Sequence, residues 1–164
     1  MPDRRTLIVV RHAKSDWSHP LSDHDRPLAE RGRRDAPAIG TWLARMIGTV
    51  GPVDLVICST AKRARQTWRL ACAALDPRPP VREDGRLYGA SPTELLTVLA
   101  ELSDELRRVV LVGHNPGLAD LVEQLSGEAK ELKTSAVAVL SWPGSWVDAE
   151  FAGASLDGYT TARG

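Results

Sequence analysis

An apolar run at residues 7–10, Leu-Ile-Val-Val, places the tightest constraint on what this chain can fold into. Four consecutive apolar residues predict a strand that is buried on both faces, and such strands occur mostly in parallel sheets covered by helices. Residues 53–58 and 107–113 are predicted to form two more buried strands of this kind. Because helical segments separate these strands, the sequence predicts an α/β fold, a three-layer α/β/α sandwich with a mostly parallel sheet.

The segments between the strands carry helix signals of different strength. Helices are predicted over about residues 28–47, 59–75, 91–102 and 116–126. Ser91 and Glu94 have the spacing of a capping box, and Pro92 suits the first helical position. Ser59 and Thr60 are candidate N-caps for the helix that follows the second strand.

The C-terminal third lacks a long apolar run. Residues 134–142 and 145–151 are predicted to form an antiparallel pair joined at Pro143 and Gly144, and about residues 155–164 are predicted to be a tail. A chain of 164 residues can bury roughly 70% of its unfolded surface in one core. Residues 1–164 are therefore expected to form one domain.

Composition limits the partners that this chain can attract. Lysine plus arginine equals aspartate plus glutamate at 21 each, so no overall field favours nucleic acid or an anionic membrane. The N-terminus lacks the apolar core of a signal peptide, and nowhere do about 18 apolar residues run together. We expect a cytoplasmic protein with no nucleic-acid or membrane partner, in which Cys58 and Cys72 stay reduced.

Cationic and imidazole side chains follow all three predicted strands. Arg11 and His12 end the first strand, and His114 follows the third. Arg63 lies early in the helix after the second strand, where a cation is unfavourable unless an anion neutralises it. Ligand crevices of open α/β sheets lie outside the carboxyl ends of the strands. Two guanidinium and two imidazole groups at that edge predict a phosphate pocket, in which a neutral imidazole can attack phosphorus.

The same residues lie in three motifs that resemble those of the histidine phosphatase superfamily. Residues 11–17, Arg-His-Ala-Lys-Ser-Asp-Trp, are similar to its Arg-His-Gly signature, with Ala13 in place of the usual glycine. Residues 59–67 match its Ser-x-x-x-Arg-Ala-x-x-Thr element. Residues 112–117, Val-Gly-His-Asn-Pro-Gly, resemble the second-histidine motif of the short SixA-type phosphohistidine phosphatases, which implies a phosphoglycerate mutase-like fold.

This resemblance implies a role for each matched position. His12 is the expected nucleophile, and it becomes phosphorylated during turnover. The groups expected to hold the phosphoryl oxygens are Arg11, Arg63 and His114. Further substrate contacts are expected from Lys14, Ser15 and Asn115. No metal or other cofactor is expected, since positioning and preorganised charge suffice for phosphoryl transfer.

One position departs from the pattern of many superfamily members. Where those members carry a glutamate general acid, this chain has Gly85, and the nearby Glu83 and Asp84 are out of register. A positioned acid contributes roughly 10²- to 10⁴-fold when the leaving group is an alkoxide. An imidazole leaving group needs much less help. The gap therefore favours phosphohistidine on a protein as the substrate.

Other interpretations stay open at this stage. The chain could be a phosphomonoesterase for small molecules, a mutase, or a module that binds phosphorylated ligands without turnover. Cys72 and Arg78 match the Cys-x₅-Arg spacing of cysteine phosphatases, but Cys72 falls inside a predicted helix that cannot cradle phosphate. The loop over residues 16–27 is predicted to be solvated rather than metal-binding, because its ligand-type side chains lack a fixed spacing. Those side chains are His19, Asp23, His24 and Asp25.

Overall fold

A computed structural model describes residues 3–164 and contains a sheet of six strands with helices on both faces. The strands are β1 (Arg4–Arg11), β2 (Leu55–Cys58), β3 (Val81–Glu83), β4 (Arg108–Gly113), β5 (Ala136–Pro143) and β6 (Ser155–Thr161). The helices are α1 (Glu30–Val50), α2 (Lys62–Ala71), α3 (Pro92–Ala100) and α4 (Gly117–Ser126). Within residues 3–164, no helix is long and apolar enough to span a bilayer.

The strand order β3-β2-β4-β1-β5-β6 confirms the mostly parallel sheet. Strands β3, β2, β4 and β1 run parallel to one another, whereas β5 is antiparallel to both β1 and β6. The three strands predicted to be buried are adjacent, with β4 between β2 and β1. Their carboxyl ends therefore lie side by side.

Side chains of the central strands alternate between two apolar cores. In β1, Leu7 and Val9 point into a core with α3 and α4, while Ile8 and Val10 point into a core with α1 and α2. All four are fully buried. The run at residues 7–10 is apolar throughout because helices cover both faces of the sheet, as predicted. The fold is a three-layer α/β/α sandwich.

The prediction for the C-terminal segment was wrong in two respects. Residues 145–151 form no strand, because Ser145 caps a short 3₁₀ turn at Trp146–Asp148. Residues 155–161 are not part of a tail, because β6 pairs with β5 along its length. Alternate residues of β6 are exposed, as on an edge strand, so its sequence lacks the apolar run that identified the inner strands.

The helix starts were predicted with mixed success. The Ser91 hydroxyl accepts from the Glu94 amide and the Glu94 carboxylate accepts from the Ser91 amide, which confirms the capping box of α3. In contrast, α2 begins at Lys62 after Ala61, without a side-chain cap. Ser59 and Thr60 therefore do not cap α2.

Two glycines of α1 allow close backbone contacts. A Cβ on Gly32 would overlap the backbone of Lys14, two residues after His12, and a Cβ on Gly40 would overlap the carbonyl group of Ala71 at the end of α2. The absence of a side chain at these positions lets α1 pack against the loop after β1 and against α2. In contrast, a Cβ on Gly48 would meet nothing within 4 Å.

We expect Gly40→Ala to lower the free energy of unfolding by about 1–3 kcal/mol, because α1 must move away from α2. The matched control is Gly48→Ala in the same helix, which should raise stability by up to about 1 kcal/mol through helix propensity. Urea unfolding measures both changes. Equal effects of the two substitutions would show that the contact between Gly40 and Ala71 is not tight.

Candidate active site

The carboxyl ends of β1, β4 and β2 bring the predicted site residues together. Arg11 pairs with Gly113 across β1 and β4, so the next residues, His12 and His114, follow adjacent strand ends. The two imidazole centroids are 5.1 Å apart. Arg63, in the first turn of α2, reaches the same point, where its Nε lies 3.4 Å from His12 Nε2. The predicted convergence of the strand ends is therefore present in the fold.

The hydrogen bonds of His12 define its tautomer. His12 Nδ1 is 2.7 Å from the carbonyl oxygen of Ala13. A carbonyl oxygen can only accept, so Nδ1 carries the proton and Nε2 of the neutral ring carries a lone pair. Burial, with smaller contributions from the neighbouring His114, Arg63 and Arg11, lowers the pKa of His12 to about 3. Burial thus contributes more to keeping this ring neutral than the cations do.

His114 is held by Ser59, which follows β2. Ser59 Oγ accepts from the amide of Ala61 at 3.2 Å and lies 2.7 Å from His114 Nε2. Among the described residues, Nε2 is the acceptor available to the Ser59 hydroxyl, so we assign the proton of neutral His114 to Nδ1. His114 Nδ1 is buried and has no partner within residues 3–164. Burial also lowers the pKa of His114 to about 4.

Arg11 supplies a second buried donor without an acceptor. Its Nη1 donates to the carbonyl oxygen of Leu132 at 3.0 Å, but its Nε has no partner in the part of the chain described. Burial, reinforced by the charge of Arg63, lowers the pKa of Arg11. A buried donor left unsatisfied costs about 1–3 kcal/mol. An oxyanion beside Arg11 and His114 would remove that cost for both groups.

Arg63 is clamped by Asp23, a residue of the loop that the sequence predicted to be solvated. Arg63 Nη1 donates to the Asp23 carbonyl oxygen at 2.6 Å, and Nη2 donates to Asp23 Oδ2 at 2.9 Å. Tyr88 donates its hydroxyl to the same Oδ2 at 2.5 Å. The hydrogen bond from Tyr88 and then the contact with Arg63 hold the pKa of Asp23 below its usual range. With both Nη groups engaged, the Nε edge of Arg63 faces His12.

Thr67 links the helix that carries Arg63 to the loop that carries His12. The Thr67 hydroxyl accepts from the amide of Ala13 at 3.0 Å and donates to the carbonyl oxygen of Arg63 at 2.7 Å. Both bonds are buried. These bonds explain why a threonine ends the motif at residues 59–67. The contact with His114 explains the serine that begins it.

The three residues predicted to contact substrate differ in their surroundings. Ser15 is buried, and its Oγ accepts from Trp17 Nε1 at 3.0 Å, which leaves the hydroxyl proton of Ser15 free to donate. Lys14 is exposed. The Asn115 side chain donates to the Leu132 carbonyl oxygen at 2.7 Å and accepts from the backbone of α4. Substrate contact by these three residues stays a prediction.

Both carboxylates near Gly85 are paired with arginines. Glu83 lies 3.7 Å from Arg65. Asp84 accepts from Arg86 at 2.7 Å, and this hydrogen bond holds the pKa of Asp84 below its usual range. A Cβ on Gly85 would lie 3.8 Å from Thr60 Oγ1, so the position has room for a side chain.

The side chains considered for a metal site and for a cysteine phosphatase do not have the surroundings that those functions need. Within residues 3–164, no group of three or more His, Cys, Asp or Glu side chains is arranged to hold a metal ion. His24 Nε2 lies 2.9 Å from the Thr60 hydroxyl. Cys72 is the C-cap residue of α2 and donates its thiol to the carbonyl oxygen of Arg69. Burial raises the pKa of Cys58 to about 12, so this residue remains a thiol.

Comparison with known proteins extends over nearly the whole chain. The sequence model of the histidine phosphatase superfamily (branch 1) matches residues 7–91. An uncharacterised protein of Mycobacterium tuberculosis is 39% identical over 165 residues, which cover 94% of this chain and 100% of that protein. The structure of the candidate phosphohistidine phosphatase SixA of Nakamurella multipartitia is 34% identical, with a TM-score of 0.85 and 99% of both chains covered. Its counterpart from Agrobacterium tumefaciens is 28% identical, with a TM-score of 0.80 and 98% of both chains covered.

The Asp23 clamp leads to a test of side-chain positioning. We expect Asp23→Ala to lower kcat by about 10- to 100-fold, because Arg63 loses the contacts that orient its Nε edge. Tyr88→Phe removes one hydrogen bond to Asp23 but leaves Arg63 held, so its effect should stay below about 5-fold. Steady-state kinetics with p-nitrophenyl phosphate separate kcat from KM. A higher kcat in Asp23→Ala would show instead that the carboxylate competes with phosphate for Arg63.

The lowered histidine pKa values predict destabilisation by acid. The unfolded chain binds protons near pH 6.5, whereas folded His12 and His114 accept them only near pH 3 and 4. The unfolded state therefore binds more protons in this interval, and each histidine should remove about 2 kcal/mol of stability between pH 7 and pH 5. Urea unfolding should show a smaller pH slope for His12→Gln than for the wild type. The exposed His19→Gln is the matched control, and an unchanged slope in His12→Gln would contradict the low pKa.

Proposed function

The chain belongs to the histidine phosphatase superfamily, and we propose that this phosphatase hydrolyses phosphohistidine carried on a protein, through a phosphorylated intermediate on His12. The observation that carries the proposal is a neutral, buried His12 in a site where the two carboxylates beside Gly85, Glu83 and Asp84, are both paired with arginines. The first feature supports a nucleophile and the second limits the leaving groups. The similarity to candidate phosphohistidine phosphatases at 34% and 28% identity supports the same substrate class.

In the first step, the lone pair on His12 Nε2 attacks phosphorus, and the bond from phosphorus to the imidazole of the substrate breaks. The substrate imidazole is protonated on its other nitrogen, so it leaves as a neutral ring and takes no proton from the enzyme. Phosphorylated His12 keeps its Nδ1 proton and becomes cationic. The Ala13 carbonyl oxygen, 2.7 Å from Nδ1, stabilises that charge.

The charge on the transferring phosphoryl group is stabilised by donors already in place. We assign this role to Arg11 Nε, Arg63 Nε and His114 Nδ1. Because these donors are fixed by the contacts with Leu132, Asp23 and Ser59, they need no reorganisation when the phosphoryl group transfers.

In the second step, water attacks phosphorus and the bond to His12 Nε2 breaks. Both protons of the water stay with the phosphate product, which forms as H2PO4⁻. His12 regains its lone pair on Nε2 as a neutral ring, since its Nδ1 proton was never lost. Both leaving groups in the cycle are therefore imidazoles, and neither step requires a carboxylic acid.

Phosphate esters of alcohols are poorer substrates for such a site. Their alkoxide leaving group needs a proton in the transition state, and the two carboxylates on β3 and the turn after it, Glu83 and Asp84, are engaged with arginines. We therefore favour a phosphohistidine phosphatase over a small-molecule phosphomonoesterase or a mutase.

The test is hydrolysis, in the presence of EDTA, of a histidine-phosphorylated protein beside p-nitrophenyl phosphate and a panel of sugar phosphates. We expect kcat/KM for phosphohistidine to exceed that for sugar phosphates by at least about 10²-fold, the contribution of the absent acid. His12→Ala should abolish turnover, and His19→Ala should leave it unchanged. Rapid acid-free quenching should trap label on wild-type protein but not on His12→Ala.

Two results would overturn the proposal. Efficient hydrolysis of sugar phosphates would mean that a proton donor acts in this site, with Tyr88 and Asp23 the nearest pair. Full activity of His12→Ala would mean that the phosphoryl group is not transferred to His12.

A further inference from the structure

A groove with a basic rim lies between α2 and the edge strand β3, beside the site. It has a volume of about 400 Å³. Its apolar lining includes the side chains of Cys58, Trp68, Cys72 and Val81. The first three are buried in the fold, whereas Val81 is 50% exposed on the outermost strand. The catalytic scheme above uses none of these residues.

The rim of the groove carries an excess of positive charge. Lys62, Arg65 and Arg69 line it together with a single carboxylate, Glu83, which lies 3.7 Å from Arg65. Lys62 and Arg69 have no ion-pair partner among residues 3–164, and both are exposed. Lys62 also occupies the first turn of α2, which contains no acidic residue, and a cation is unfavourable there unless an anion neutralises it.

A chain of side-chain contacts connects the rim of the groove to the phosphate site. Arg65 Nε donates to the Thr60 carbonyl oxygen at 3.0 Å, and the Thr60 hydroxyl lies 2.9 Å from His24 Nε2. The His24 ring packs edge-on against Tyr88, which in turn packs against His114. A substrate chain that presents a phosphorylated side chain to His12 and passes over Thr60 would reach Arg65 on the rim of the groove.

We infer that this groove docks an acidic segment of the phosphoprotein substrate, with carboxylates against Lys62 and Arg69 and an apolar side chain against the exposed Val81. The inference rests on the proposed function and adds the chemistry of the partner to it. Charge complementarity selects the occupant, because a rim with two unpaired cations favours carboxylates and opposes basic segments. Since the chain has no net charge, this attraction is local to the groove.

The probes are two short histidine-phosphorylated peptides of the same length. One has glutamates on both sides of the phosphohistidine, and the other has glutamines at the same positions. Wild-type protein should hydrolyse the glutamate peptide with a KM about 10-fold lower and an equal kcat. The difference should vanish at about 1 M salt, where the Debye length is about 3 Å.

The variant is Lys62→Glu/Arg69→Glu, and its matched control is Arg45→Glu/Arg78→Glu, which reverses two exposed arginines away from the groove. The groove variant should lose the preference for the glutamate peptide, while its kcat for p-nitrophenyl phosphate stays within about 2-fold of the wild type. The control should keep the preference. A glutamate in the first turn suits the helix dipole, so the groove variant is expected to fold. The preference of the neutral variant Lys62→Gln/Arg69→Gln for the glutamate peptide should lie between that of the groove variant and that of the wild type.

The outcomes separate the inference from the proposed function. If wild-type protein hydrolyses both peptides equally well, or if the groove variant keeps the preference, the docking inference is overturned and the phosphohistidine phosphatase stands. If wild-type protein hydrolyses neither peptide but turns over small phosphates, both are overturned. A change in sedimentation coefficient in the groove variant, without a change in peptide preference, would assign the groove to a second copy of this chain.

Discussion

The hydrogen bond between His12 Nδ1 and the carbonyl oxygen of Ala13 is the constraint on which the rest of the site depends. It places the proton on the far side of the ring and leaves the lone pair on Nε2, beside Arg63. This arrangement holds only while the ring is neutral. Burial of His12 ensures that state, since it opposes ionisation more strongly than the neighbouring cations do. A buried imidazole can therefore stand beside two arginines without adding a third positive charge.

The fold satisfies some donors of the two arginines with its own acceptors and leaves others free. The Leu132 carbonyl oxygen accepts from Nη1 of Arg11, and Asp23 accepts from both Nη groups of Arg63. The buried Nε of Arg11 and Nδ1 of His114 have no partner among residues 3–164. This division matters because fully satisfied arginines would bind an anion weakly, and fully free ones would be poorly oriented. Adjacent strand ends fix the positions of the backbone at His12 and His114. The Ser59 hydroxyl connects the end of β2 to His114, and the Thr67 hydroxyl connects α2 to the backbone after His12.

The parts of this structure that were predictable from sequence are those with a local physical signal. The apolar run at residues 7–10 identified β1 because both faces of that strand are covered, and the capping box at Ser91 is contained within four residues. The edge strand β6 was missed because its alternate residues face solvent and its pairing uses the main chain. The cap of α2 was misplaced because the Ser59 hydroxyl bonds His114, 55 residues away. Similarly, nothing near Asp23 in the sequence indicates its contact with Arg63, 40 residues away.

Under the proposed mechanism the site supplies no proton, so it would discriminate among substrates by the basicity of the leaving group rather than by the shape of the substrate. Any accessible phosphohistidine meets that criterion equally well, because the imidazole is the same on every protein. Selection of one phosphoprotein over another must then come from contacts outside the reacting centre. The loop that bounds the mouth is held by Asp23 on Arg63 and by His24 on Thr60, so it offers few unpaired groups for this purpose. Lys62 in the first turn and Arg69 in the last turn of α2 are exposed and have no ion-pair partner among residues 3–164, so under the docking inference surface charge is the property by which a protein substrate would be selected.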